Sequence, residues 1–208
     1  LVLATKTDQS AGSNGVTLFL VEGDMEGFVR GKNLDKLGMK AQDTSELFFE
    51  NVRVPAKNML GEEGQGFACL LHSLNPERIL IAAEAIGIGR NALARATEYA
   101  KTRVVFDRPI GQNQAIQHPL AESWAELEAA NLMCYKAASL YDAGEPCAAE
   151  ANAAKYLGAE TAFSACETAV MCHGGMGYAK EYDVERYLRE IFVARLAPVS
   201  REMILNHI

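Results

Sequence analysis

The sequence predicts a mainly α protein with a β part: a partial antiparallel β-barrel over residues 1–60, then an up-down four-helix bundle over residues 61–208. The period of the apolar residues is the first reason. Up to Pro55 they come in short runs separated by turn signals. Beyond Gly61-Glu62-Glu63-Gly64-Gln65-Gly66 they recur every three or four residues. The second reason is the spacing of breaks. The helical half is interrupted near Pro109, at Gly144-Glu145-Pro146 and at Gly174-Gly175-Met176-Gly177. Short connections of this kind join antiparallel neighbours.

Residues 1–6 are short and apolar, and Ser13-Asn14-Gly15 is a turn signal ahead of the run 16–21. Phe28-Val29-Arg30 and residues 46–49 are further strands. Val52-Arg53-Val54 alternates with period two until Pro55 stops it. Residues 67–74 make two helical turns. Asn75-Pro76-Glu77 then reads as a fresh helix start, with Asn as cap, Pro at the first position and an acid in the first turn. From Ile79 to Ile88 nearly every residue is apolar or small, the mark of a helix buried all round. Arg90, Arg95, Glu98 and Lys101 mark its later, exposed face. In the second helix, 115–141, Leu120, Trp124, Leu127, Ala130, Cys134 and Ala137 fall on one apolar side. The third, 148–171, is rich in alanine, which lets helices approach closely. The fourth, 183–195, has Asp183 as its expected cap. Pro198 breaks it, and 200–208 starts a fifth.

The 208 residues are 49% hydrophobic and 23% charged, an ordinary globular composition. A net charge of -7 argues against non-specific nucleic-acid binding, which needs a basic face. Five cysteines without CxxC or zinc spacing suit a reducing compartment and give no metal site. No apolar run is long enough to span a membrane, and no signal peptide is visible. A chain that begins at Leu1 within a strand reads as a fragment or a processed piece.

Several residues are candidates for chemistry. Glu77 stands at the start of an apolar helix, where burial would move a carboxyl toward the range of a general base; an acid stabilising a helix N-terminus is the plainer reading. Glu84, the only charge between Ile79 and Gly89, is expected to be paired and partly buried. The hinge 102–114 carries Arg103, Phe106, Arg108 and Gln114. Arginine forks suit phosphate oxygens, and solvated loop arginines fit the pattern equally. Gly174 and Gly175 let a flat ligand or another backbone approach, although a helix cap and tight turn explains them as well. Cys172-His173 is a conceivable thiol nucleophile, disfavoured by the absence of a nearby acid.

Taken together, four ordered segments resemble the acyl-CoA dehydrogenase family. The stretch from Leu37-Gly38-Met39 through Val52-Arg53-Val54-Pro55 to Gly66-Phe67 is similar to the end of its middle β domain. Arg103-x-x-Phe106-x-x-Pro109-Ile110-x-x-x-Gln114 is similar to its flavin-contacting turn. His173-Gly174-Gly175-Met176-Gly177-Tyr178-x-x-Glu181 is similar to its glycine turn, and Val184-Glu185-Arg186-x-x-Arg189-Glu190 to the helix before its C-terminal loop. The resemblance makes residues 1–60 the second half of the middle β domain and residues 61–208 the C-terminal four-helix-bundle domain.

It implies FAD as cofactor and α,β-dehydrogenation of an acyl-CoA thioester. Electrons would pass to an electron-transferring flavoprotein. It further implies a homotetramer or homodimer, and a cytoplasmic (bacterial) or mitochondrial-matrix setting. Arg103, Phe106, Gln114, Gly174 and Gly175 match FAD contacts reached from a neighbouring subunit. Met171 replaces a glutamine common in the family. Many members carry the catalytic glutamate in the C-terminal loop; here Leu196-Ala197-Pro198-Val199-Ser200 has no acid, and Pro198 stands in its place. A second, isovaleryl- and long-chain-type branch places the glutamate in a Leu-x-x-Glu-Arg run. Leu74-Asn75-Pro76-Glu77-Arg78 fits it, which makes Glu77 the expected base and sets Asn75 and Arg78 near the acyl-CoA. The alternatives are a catalytically inert homologue or assembly partner, motivated by Pro198, and an acyl-CoA oxidase. The fragment alone is expected to be inactive.

Overall fold

The computed structural model describes residues 1–208, which form two compact units, Leu1–Leu74 and Asn75–Ile208. In the first, β1 (Val2–Lys6) pairs antiparallel with β2 (Val16–Leu20), Val2 opposite Leu20 and Lys6 opposite Val16. The other edge of β2 pairs with β5 (Met59–Leu60). A separate two-stranded sheet joins β3 (Phe28–Asn33) to β4 (Ser45–Phe49), with an irregularity between Arg30 and Asn33. The expected barrel is therefore two small antiparallel sheets, and no closed barrel forms, because the two strand sets share no hydrogen-bonded edge. Val52-Arg53-Val54 forms no strand; Asn51, at φ 52°, turns the chain just before it.

The helical unit departs from the expected breaks in one place. Asn75 caps nothing, because α1 runs unbroken from Gly66 to Thr102 with Pro76 inside it. Proline removes one hydrogen bond, to the His72 carbonyl, and packing of the following buried face carries the helix past that defect. A hairpin of β6 (Val104–Val105) and β7 (Arg108–Pro109) connects α1 to α2 (Gln114–Asp142). Then come α3 (Ala148–His173), α4 (Val184–Leu196) and the short α5 (Arg201–Leu205).

The four long helices share one core. Ala82, Ile86 and Leu93 of α1 meet Leu127 and Cys134 of α2, Ala162 and Cys166 of α3, and Ile191 of α4. Small residues set the spacing. A Cβ on Gly158 would stand 3.1 Å from the Ala82 carbonyl oxygen, and one on Gly89 would stand 3.0 Å from the Ala162 Cα. Two side chains depart from their expected places. Trp124 lies off the apolar side and is 61% exposed, while Leu127, Ala130, Cys134 and Ala137 are buried as the period requires. Asp183 precedes α4 in a left-handed conformation and makes no cap bond; its carboxylate pairs with Arg95 at 3.3 Å and Arg186 at 3.3 Å instead.

Candidate functional site

The hinge between α1 and α2 is a two-residue hairpin. Phe106 and Asp107 form its tip, at φ 53° and 64°. Two successive left-handed residues define a type I′ turn, which Asn-Gly adopts readily and a bulky aromatic does not. Phe106 is nevertheless there, and 92% exposed. The strained backbone and the exposed ring leave Phe106 outside the core of its own unit. The Ile110 amide donates to the Arg103 carbonyl at 2.9 Å and closes the hairpin base. Arg108 is occupied locally, donating to Asn113 Oδ1 at 2.5 Å. Arg103 and Gln114 are exposed and make no side-chain hydrogen bond, so of the two arginines Arg103 keeps its fork free.

The glycine turn is packed against the same end of the unit. His173, the last residue of α3, stacks on Tyr99 with ring centroids 4.3 Å apart, and Tyr182 meets the Tyr99 ring edge-on at 5.7 Å. Tyr99 lies one helical turn before Arg103 and accepts that residue's amide at 2.8 Å. This aromatic trio holds the hairpin and the turn together, and sequence reading did not find it. The adjacency of His173 to the glycines was its only signal. Gly174 has φ 59°, and neither Gly174 nor Gly175 has any atom within 4 Å of an added Cβ. Gly177 differs: its Cβ would stand 2.2 Å from the Val170 carbonyl oxygen, so it shapes the turn itself.

Roughly three turns into α1, just after Pro76, Glu77 is exposed and forms no ion pair within 4 Å. Arg78 is half-buried and donates to Asn75 Oδ1 at 3.3 Å. Burial pulls its guanidinium below the usual value, and the neighbouring Glu77 carboxylate opposes this. Glu84 is exposed and unpaired, against the expectation of a buried pair. Cys172 is no nucleophile: it is buried, its thiol faces the Ala96 carbonyl at 3.6 Å, and burial pushes its pKa up.

The structure adds a residue that sequence reading missed. Lys155, on α3, is 1% exposed and donates to the Val199 carbonyl at 2.7 Å. Its neighbours three and four positions away, Ala151, Asn152, Gly158 and Ala159, are all small or short, and all are buried. A lone cation on such a face was the signal available.

The family model for the acyl-CoA dehydrogenase C-terminal domain matches residues 64–208. The chain belongs to the acyl-CoA dehydrogenase family. It is 40% identical, over 202 residues, to the short-chain specific acyl-CoA dehydrogenase of Megasphaera elsdenii, covering 97% of this chain and 53% of that protein. It is 41% identical to the caffeyl-CoA reductase-Etf complex subunit CarC of Acetobacterium woodii, over 91% of this chain and 50% of that one. The three-dimensional structure of M. elsdenii butyryl-CoA dehydrogenase superposes with a TM-score of 0.96 at 39% identity, over 99% of this chain and 54% of that one. The chain thus spans about half the length of the relatives it matches.

Within an acyl-CoA dehydrogenase fold, the two clusters are far apart. Glu77 and Arg103 are 26 residues apart along α1 and the residue that follows it, roughly 39 Å at 1.5 Å per residue. No helix of the chain is long and apolar enough to cross a membrane, and no group of three metal-ligating side chains is present.

Proposed function

We propose that this chain is part of an FAD-dependent enzyme that introduces an α,β double bond into an acyl-CoA thioester, with Glu77 as the base. The observation that carries the reading is the hairpin tip, where Phe106 is held left-handed and exposed beside the unoccupied fork of Arg103. FAD, when bound, accepts the hydride from the β-carbon. The residues fit its elongated, anionic form. Arg103 would pair with a pyrophosphate oxygen, Phe106 and Gln114 would contact the adjoining groups, and the open face at Gly174 and Gly175 would admit the adenosine half.

Glu77 would take the α-proton, and Asn75 and Arg78 would hold the thioester end of the substrate near it. The roughly 39 Å between Glu77 and Arg103 supports the idea that each cluster serves a different site, the hairpin completing that of a neighbouring subunit. Exposed Trp124, Leu132 and Tyr135 on α2 give such a neighbour an apolar face, consistent with a homotetramer or homodimer. We place residues 1–60 in the middle β domain and residues 61–208 in an up-down four-helix bundle. An electron-transferring flavoprotein is the proposed acceptor, and a bacterial cytoplasm or mitochondrial matrix the setting.

Full-length protein assayed with acyl-CoAs of graded length and an artificial acceptor tests this. Turnover that collapses in Glu77→Gln supports the reading, and undiminished turnover removes Glu77 from the mechanism. Pro198 in the C-terminal loop favours a second reading, a catalytically inert homologue, which no turnover by wild type at any chain length would support. Turnover with oxygen in place of the dye would identify an oxidase.

A further inference from the structure

Four buried side-chain N or O atoms lack a hydrogen-bond partner, and all four belong to the helical unit: Arg78 Nε, Asn152 Oδ1, Glu160 Oε1 and Arg195 Nε. Arg195 donates to Glu160 Oε2 at 2.8 Å, Arg201 approaches the same oxygen at 3.2 Å, and Asn152 donates to the His207 carbonyl at 2.9 Å. Lys155 stands among them. It is fully buried, and its ammonium donates to Val199, the residue after Pro198.

Packing alone does not call for a lysine here. Burying a cation is unfavourable, and a Met of similar length would fill the space without that cost. Burial and the charge of Arg78 pull the Lys155 pKa down to about 8, against the opposing pull of Glu160 and Glu202. These are the charged groups that face it: Arg78 from α1, Glu160 from its own helix and Glu202 from α5. Lys155 therefore holds, by direct contact, the loop where the family's other branch keeps its glutamate, and it lies within electrostatic range of Arg78 on α1 and of Glu202 on the last short helix.

We propose that Lys155 is a positioning residue: from inside α3 it fastens the loop 197–200 through the Val199 carbonyl, and the fixed loop walls the site in which Glu77 works. The proposal rests on the assignment of Glu77 as the base. In this chain the loop no longer supplies an acid, and its work becomes that of a fixed wall. Lys155 is the residue that fixes it.

The test uses full-length holoenzyme, with Lys155→Met, Lys155→Arg and Glu77→Gln assayed side by side. Lys155→Met is expected to lower kcat about 10- to 100-fold, the scale of a small misplacement in an active site, with KM changed far less. Arg keeps the charge and a donor, so Lys155→Arg is expected to recover part of the loss. Wild-type kcat is expected to fall on the alkaline side of about pH 8 as the ammonium loses its proton, and the Met variant to lack that limb. The exposed Glu202→Gln guards against a Met variant that does not fold. It leaves the plateau kcat unchanged and moves the limb to lower pH, since a charge favouring the ammonium is gone. A Met variant with wild-type kcat and pH profile, beside an inactive Glu77→Gln, overturns the role of Lys155 alone. A wild-type profile without the limb, or a limb unmoved in Glu202→Gln, overturns it too. Wild-type turnover in Glu77→Gln overturns the base assignment and this proposal with it.

Discussion

Replacing Lys155 with Met should change how stability depends on pH, and the sign follows from the lysine's environment. Folded, its pKa is about 8, and the ordinary value is 10.5. Between those two values the unfolded chain holds more protons than the folded one, so wild-type stability rises with pH across that window. The full shift corresponds to at most about 3 kcal/mol. Below pH 8 the buried ammonium is a standing cost of that order. The Met variant escapes it but leaves the Val199 carbonyl without its donor, a loss of about 1–3 kcal/mol for a buried acceptor. The two nearly cancel, so the proteins should differ by less than about 2 kcal/mol at pH 7. By pH 10.5 the wild type has shed its cost and the Met variant has not gained. Urea unfolding of both proteins at half-unit steps from pH 7 to 10.5 measures the difference, in which ionising tyrosines and thiols common to both drop out. A wild-type-minus-Met difference that stays flat across the range refutes the buried, depressed lysine.

Phe106→Gly should relieve the left-handed strain, on the order of 1 kcal/mol, and stabilise the hairpin, while weakening FAD binding measured by flavin fluorescence. Three glycines of the helical unit should respond to alanine with opposite signs. Gly158→Ala and Gly89→Ala press on α1 backbone and on α3, and should lose about 1–3 kcal/mol by urea unfolding, more than the helix propensity returns. Gly87→Ala meets open space and should gain up to about 1 kcal/mol. Cys134, Cys147, Cys166 and Cys172 are buried, with Cys166 pushed up to about 12, so a thiol reagent should leave all four unmodified until the protein unfolds.

The parts that were legible are those where local pattern and packing agree. The alanine run of α3 and the apolar spacing on α2 gave the core face directly, because a helix interior repeats every three to four residues. The parts that were not legible depended on contacts distant in sequence. Pro76 reads as a helix start by local rules, yet burial of the following turns carries α1 through it. Trp124 falls on the apolar period but points away from the core, and no rule of spacing distinguishes a core face from an outward one at its margin. Arg103 and Phe106 were visible as an over-furnished hinge, whereas the left-handed tip that exposes Phe106 was not. Lys155 was hidden because its partner, the Val199 carbonyl, is 44 residues away.

The most direct test is anaerobic mixing of full-length, FAD-loaded protein with acyl-CoA while the oxidised flavin absorption is followed. Wild type should bleach in a single rapid phase, and Glu77→Gln should bind the same substrate but bleach about 100- to 10,000-fold more slowly, as loss of a general base requires. Bleaching of Glu77→Gln at the wild-type rate would contradict the assignment of the base beside Pro76 in α1.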